Sequence, residues 1–230
     1  MQFFHSFGNM KAADMDAKIT SPKNFTIAVL KILELINTWG VSENPSMVSY
    51  PYLYIDTTKL KRAFIIKSNQ MVSFAFPFAI YTKMNTVGID ELFINLKDKK
   101  LNDVIISHAM SLAQTLDLNN STYAAQAKSI DLTDVDKLTA TRVFETVLAL
   151  EPSYIRYDYD TKGCKGKIHP LHHFDVNYSN DYTYKVGLYG ELEECKLKEL
   201  LSEDSDCWYV RPFSIISKVE DVIRRKMVKK

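Results

Sequence analysis

The sequence predicts an α+β fold: an N-terminal β-meander plus a C-terminal three- to four-stranded antiparallel sheet, packed with helices. Three observations carry this. Apolar residues recur at three- and four-residue spacing over 27–39 and 138–150, the period of a helix with one buried side. Short β-rich apolar runs fill 52–82, and apolar residues alternate with polar ones within 153–188, the marks of buried and half-buried strands. The period changes at Gly40, Pro51 and Glu151-Pro152, residue types that punctuate regular structure.

Residues 1–23 are weakly patterned and read as a partly ordered arm ending in the turn signal Ser21-Pro22. Ile27, Leu30, Leu33, Leu35, Ile36 and Trp39 mark a helix, with Gly40 at its C-terminal cap. A loop over 41–50 leads into an expected meander over 52–82. There Ser68-Asn69-Gln70 reads as a hairpin turn and Pro77 as an edge or bulge marker, with Phe74, Phe76 and Phe78 on one face. From Asp90 the stripe Leu92, Phe93, Leu96, Leu101, Val104, Ile105, Ala109 and Leu112 predicts a helical region broken at 97–100; His108 on that stripe reads as a core residue. Residues 117–133 read as a polar loop, and 133–150 as a helix capped by Thr133 and ended by Glu151-Pro152. Past residue 190, the spacing predicts an amphipathic helix over 191–202, a strand over 207–213 and a short helix over 217–230 with a basic tail. The two β-rich runs can join one sheet, which makes residues 1–230 a single domain.

Composition removes several classes. With 29 basic and 28 acidic residues the net charge is +1, so a nucleic-acid partner needs a local basic patch. Three cysteines without metal spacing suit a reduced, cytoplasmic chain. The N-terminus does not read as a secretory signal and no run is long and apolar enough to span a membrane. There is no P-loop, dinucleotide fingerprint, nucleophile elbow or HExxH, so no nucleotide cofactor is expected.

Chemistry concentrates in residues 151–188, which hold three of the five histidines. Alternation places Tyr154, Arg156, Asp158 and Asp160 on one face of a first strand. It places His173, Asp175 and Asn177 opposite His172, Phe174 and Val176 on a second, and Lys185 on a third. Between the first two strands lies a solvated basic loop with Lys162, Lys165 and Lys167. Asp158 and Asp175 are candidates to hold Mg²⁺ or Mn²⁺ or to act as base, His173 to carry protons, and Arg156 and Lys185 to bind phosphate. Asp160, His169, His172 and Asn177 are candidate binding residues. Alternation separates His172 from His173, which weighs against a three-histidine metal site.

This order resembles the restriction-endonuclease-like nucleases, where an acidic residue on one strand precedes an acidic-x-lysine triplet on the next. Here the triplet reads Asp175-Val176-Asn177, so Lys185 substitutes only if its strand lies alongside. The words Ile-Arg-Tyr-Asp-Tyr-Asp (155–160) and His-Pro-Leu-His-His-Phe-Asp (169–175) also resemble small bacterial proteins of unknown function. Some of those are found with restriction, toxin–antitoxin or anti-phage systems. The resemblance covers about residues 150–190 and implies a prokaryotic nucleic-acid or defence role.

Two classes follow. One is a metal-dependent nuclease or toxin-like effector. The other is a non-catalytic interaction module, or a subunit of a defence or toxin–antitoxin complex, contacting a protein partner or a second copy through its tyrosine-rich strands. A third reading is a small-molecule pocket lined by Phe74, Phe76 and Phe78. Convergence of Asp158, Asp175, His173 and Lys185 in a concave pocket distinguishes the enzyme from a flat contact surface.

Overall fold

The computed structural model describes residues 1–7, 19–84, 90–97, 99–115, 134–178 and 183–208. The chain divides into two compact units, Met1–Leu192 and Glu193–Lys230. The first holds β1 (Gln2–Ser6), α1 (Pro22–Trp39), β2 (Tyr52–Asp56), β3 (Arg62–Lys67), β4 (Gln70–Ala75), β5 (Ala79–Met84), β6 (Asp90–Leu96), β7 (Lys99–Leu101), α2 (Asp103–Thr115), α3 (Val135–Leu148), β8 (Ile155–Tyr159), β9 (His172–Val176) and β10 (Tyr184–Leu188). The second holds α4 (Glu194–Leu200). The fold is α+β, with one antiparallel sheet of seven strands in the order β1-β2-β3-β4-β8-β9-β10 and another of three, β5-β6-β7.

The local chemistry explains most elements. Ser21 is the N-cap of α1: its hydroxyl accepts from the Asn24 N–H at 3.2 Å, and Pro22 opens the helix where no donor is needed. Gly40 ends it at φ 71, a conformation cheap only for glycine, and its N–H returns to the Ile36 carbonyl. Ser68 and Asn69 form the tight turn between the paired Lys67 and Gln70. Asp134 caps α3, its carboxylate accepting from the N–H groups of Asp136 and Lys137; Thr133, the expected cap, lies outside the described residues.

Three expectations change. Residues 2–6 form β1, paired along β2, rather than part of a loose arm. The meander ends at Ala75; Pro77 interrupts the run, and β5 joins the second sheet. Residues 90–96 form a strand, not a helix. Leu92 and Leu96 are four apart, a spacing helix and strand share. Here alternation sends Leu92, Ile94 and Leu96 toward the core, while Phe93 stacks on Tyr81 with the Lys100 ammonium 4.1 Å from its ring. Phe74, Phe76 and Phe78 are fully buried in the core cluster and line neither the cleft between α1 and α2 nor that beside β8–β10. The loop over 117–133, the tail helix over 217–230 and most of the strand expected over 207–213 fall outside the described residues; Cys207 and Trp208 lie in no strand.

Register fixes the faces of the large sheet, since directly paired residues share one. One row reads Leu53, Ile65, Val72, Arg156, Asp175, Lys185. Leu53, Ile65 and Val72 belong to the core that α1, α2 and α3 complete, with Phe25 of α1 edge-on to Phe74. The same row then turns polar. Helices α1–α3 share a face with the polar residues of the last three strands, because the β4–β8 pairing puts Arg156 beside Val72. The row is apolar as far as Val72 and polar from Arg156 on.

Candidate metal centre

Five polar side chains meet on this face. Arg156 is paired with Asp175, and Asp175 with Lys185; one step along, Asp158 is paired with His173, and His173 with Gly187. Asp158, His173 and Asp175 are buried, His173 with 0% exposure. Arg156 bridges the two carboxylates: its Nε donates to Asp158 Oδ2 at 2.8 Å and its terminal nitrogen to Asp175 Oδ2. Gln70 Nε2 donates to Asp158 Oδ1 at 2.8 Å. Lys185 Nζ donates to Asp175 Oδ1 and lies 3.1 Å from His173 Nε2.

The tautomer of His173 follows from its partners. Its Nδ1 is 2.8 Å from the Pro170 carbonyl oxygen, which only accepts, so the proton sits on Nδ1. The unprotonated Nε2 then accepts from Lys185 Nζ at 3.1 Å and lies 3.6 Å from Asp158 Oδ2 and 3.8 Å from Asp175 Oδ1. Burial, then the Lys185 ammonium, push the imidazole below its ordinary value, against the Pro170 hydrogen bond and the two carboxylates. Burial opposes the charge on Arg156, yet Asp158, Tyr154 and Asp175 outweigh it and hold the guanidinium above its ordinary value.

The loop between β8 and β9 forms a wall. Asp160 Oδ1 accepts from the N–H groups of Gly163 (2.7 Å) and Lys162 (3.1 Å). The Gly163 N–H does most to lower the Asp160 carboxyl, burial opposing it and Lys162, His169 and His173 adding to it. His169 Nδ1 lies 2.6 Å from the Gly163 carbonyl, so it too carries its proton there, and its Nε2 is 3.8 Å from Asp160 Oδ2. A β-carbon on Gly163 would come within 2.4 Å of Asp160 Oδ2 and 3.1 Å of His169 Cε1, so a side chain here would displace the Asp160 carboxylate. The result is a cleft of about 580 Å³ lined by Arg156, Asp158, Asp160, Gly163, Lys165, Ile168, His169, Asp175 and Lys185. The His169 and His173 rings sit 4.6 Å apart.

Two predicted residues stay outside. His172 lies on the opposite face, stacked between Tyr157 and Tyr159, with its Nδ1 2.8 Å from the Tyr157 hydroxyl. That hydroxyl also accepts from the Leu192 N–H at 3.2 Å. Asn177 has left the strand at φ 68 and is exposed, its carbonyl accepting from the Thr183 hydroxyl. Cys164 is exposed and lines no part of the cleft. Three contributors were not singled out from the sequence: Gln70, Pro170 and Gly187. Gln70 comes from a strand 88 residues away, which no local pattern reveals. The other two are a contact pair, since a β-carbon at 187 would lie 2.9 Å from Pro170 Cγ.

One carboxylate oxygen from each of Asp158 and Asp175 and a ring nitrogen of His173 lie within 4.8 Å of one another, a possible metal-binding triad. Ligands at right angles on a cation with bonds of about 2.1 Å stand about 3 Å apart, so the 3.6 and 3.8 Å separations here need only a small contraction. The Nδ1–H held by a backbone carbonyl matches the second bond that metal-ligating histidines make. A second cleft, about 440 Å³ between α1 and α2, is lined by Glu34, Asp103, hydroxyls, Gln114 and methylene surface, without a histidine or cation. Among the described residues no helix is long and apolar enough to cross a membrane. No protein-family model, curated protein or solved structure matches the chain.

Proposed function

We propose that this chain is a cytoplasmic, metal-dependent phosphodiesterase acting on nucleic acid, a nuclease or toxin-like effector in anti-phage defence. The observation that carries the reading is the convergence of Asp158, Asp175 and the His173 Nε2 lone pair beneath one cleft, with Arg156, Lys185 and Lys165 around them. Two carboxylates and one imidazole form a donor set that suits Mn²⁺, with Mg²⁺ the harder, all-oxygen alternative. Such an ion polarises a phosphoryl oxygen and lowers the pKa of bound water.

The chain's own residues supply the rest. Arg156 and Lys185 attract the phosphate and stabilise the charge that develops on it. His169 lines the cleft with Nε2 unprotonated while the ring is neutral, placed to take or give a proton. His173 is too buried to meet substrate and serves as ligand instead. The bacterial families that residues 150–190 resemble supply the defence context. The test is cleavage of DNA and RNA with Mg²⁺, Mn²⁺ or a chelator, comparing wild type with Asp175→Ala. Divalent-dependent cleavage lost in the variant is expected; no cleavage by wild type overturns the reading.

One observation favours the second reading, a non-catalytic interaction module. Gln70, Arg156 and Lys185 already satisfy the carboxylate oxygens of Asp158 and Asp175. In that case the five side chains are a self-contained ionic network stiffening the sheet, and Asp175→Ala lowers stability without changing any cleavage rate.

A further inference from the structure

We infer that Lys185 is a resident cation in the metal seat: its ammonium and a divalent ion compete for the same two ligand atoms. The inference rests on the metal-site reading above and deepens it. Of the three candidate ligand atoms, Lys185 Nζ engages two, donating to Asp175 Oδ1 and to His173 Nε2 at 3.1 Å. A lone pair that accepts an ammonium hydrogen cannot also bind a metal. Two cations sharing one carboxylate oxygen at bonding distance also repel. Ion and ammonium therefore exclude each other from this position.

Arg156 holds Asp175 by Oδ2, which is not a candidate ligand atom, and holds the third candidate atom, Asp158 Oδ2, from its place in the centre of the sheet on β8. That carboxylate oxygen keeps a further lone pair for an ion, whereas the single lone pair of His173 Nε2 is taken by Lys185. Lys185 is on β10, at the end of the strand order, and its side chain is 37% exposed. Its four-carbon stem lets the ammonium swing from the triad to the cleft mouth without moving the strand. With no metal present the ammonium offsets the buried carboxylates, which would otherwise face one another with only Arg156 between them. When the ion arrives, the same ammonium is freed to meet the phosphate. Metal loading and phosphate capture are thereby coupled through one side chain.

The test is Mn²⁺ binding by the full chain, by calorimetry and by the electron paramagnetic resonance of free Mn²⁺, for wild type, Lys185→Gln, Lys185→Arg and Asp158→Ala. Lys185→Gln keeps a polar side chain of similar reach without the charge and is expected to bind Mn²⁺ at least tenfold more tightly than wild type. Lys185→Arg keeps the cation and is expected to stay nearer wild type, which separates charge from simple disturbance of the strand. Asp158→Ala is expected to lose binding. Equal affinity in wild type and Lys185→Gln, with loss in Asp158→Ala, overturns the competition and leaves the metal site standing. Absence of Mn²⁺ binding in both wild type and Lys185→Gln overturns the metal site and the competition together.

Discussion

Gly187 on β10 and Pro170 in the β8–β9 loop are in direct contact, so close that a β-carbon at 187 would lie 2.9 Å from Pro170 Cγ. Gly187 is paired with His173 across the sheet, and the Pro170 carbonyl holds the His173 Nδ1 proton. The missing side chain at 187 therefore lets the proline sit where it fixes the histidine tautomer. Gly187→Ala is expected to displace Pro170, cost about 1 kcal/mol of stability and weaken Mn²⁺ binding by roughly 10- to 100-fold. Thermal unfolding and calorimetry check the two effects. Unchanged Mn²⁺ affinity removes the link between Gly187 and the histidine.

His173 also predicts a pH dependence. Its folded value lies below the ordinary 6.5, mainly through burial and then through Lys185. As pH falls, the unfolded chain takes up this proton before the folded one does. The stabilisation is therefore fully present above about pH 6.5 and is lost as pH falls from there toward the folded value. Carboxylates such as Asp56 and Asp160, held below 3.8, act in a more acidic window. The urea midpoint of the metal-free protein should fall between about pH 7 and pH 5, and the fall should be shallower in His173→Gln. Equal slopes in the two proteins contradict the assignment.

Arg62 holds the entrance to β8. It is buried, donating to Ser73 Oγ at 2.9 Å, Ser153 Oγ at 3.0 Å and the Ser153 carbonyl, and burial pushes its guanidinium down to about 10. Ser153 itself sits at φ 47, outside the conformations most residues prefer. Arg62→Ala leaves the buried Ser73 hydroxyl without this donor, releases Ser153 and empties a buried site, and is expected to cost about 2–4 kcal/mol. A shift of the urea midpoint with unchanged slope is the readout; a loss under about 0.5 kcal/mol is the contrary result.

How much of this was legible depended on range. Alternation over 154–160 and 172–178 placed Arg156 with Asp158 on one face of the first strand and His173 with Asp175 on one face of the second; which of them pair is set by the β8–β9 register. Lys185 completes the row because β10 is the neighbour of β9. The same alternation separates His172 from His173. What the sequence did not reveal is set by distant pairing. Gln70 reaches Asp158 only because β4 pairs with β8, and that pairing also decides which face the helices share. Residues 90–96 misled because a four-residue apolar spacing fits both periods, and partner strand β5 settled it.

The adjacent histidines give the most direct test of the central claim, that the polar face at β8–β10 is a metal-dependent cleavage site. His172 stacks between tyrosines on one face, and His173 brings Nε2 to 3.6 Å from Asp158 and 3.8 Å from Asp175 on the other. The measurement is the rate of Mn²⁺-dependent nucleic-acid cleavage by wild type, His172→Ala and His173→Ala, each confirmed folded by circular dichroism. Wild type should cleave, and His172→Ala should stay within about threefold despite a stability loss of about 1 kcal/mol. His173→Ala should fall by roughly 100-fold or more. Equal rates for the two variants, or no divalent-dependent cleavage by wild type, would contradict the account.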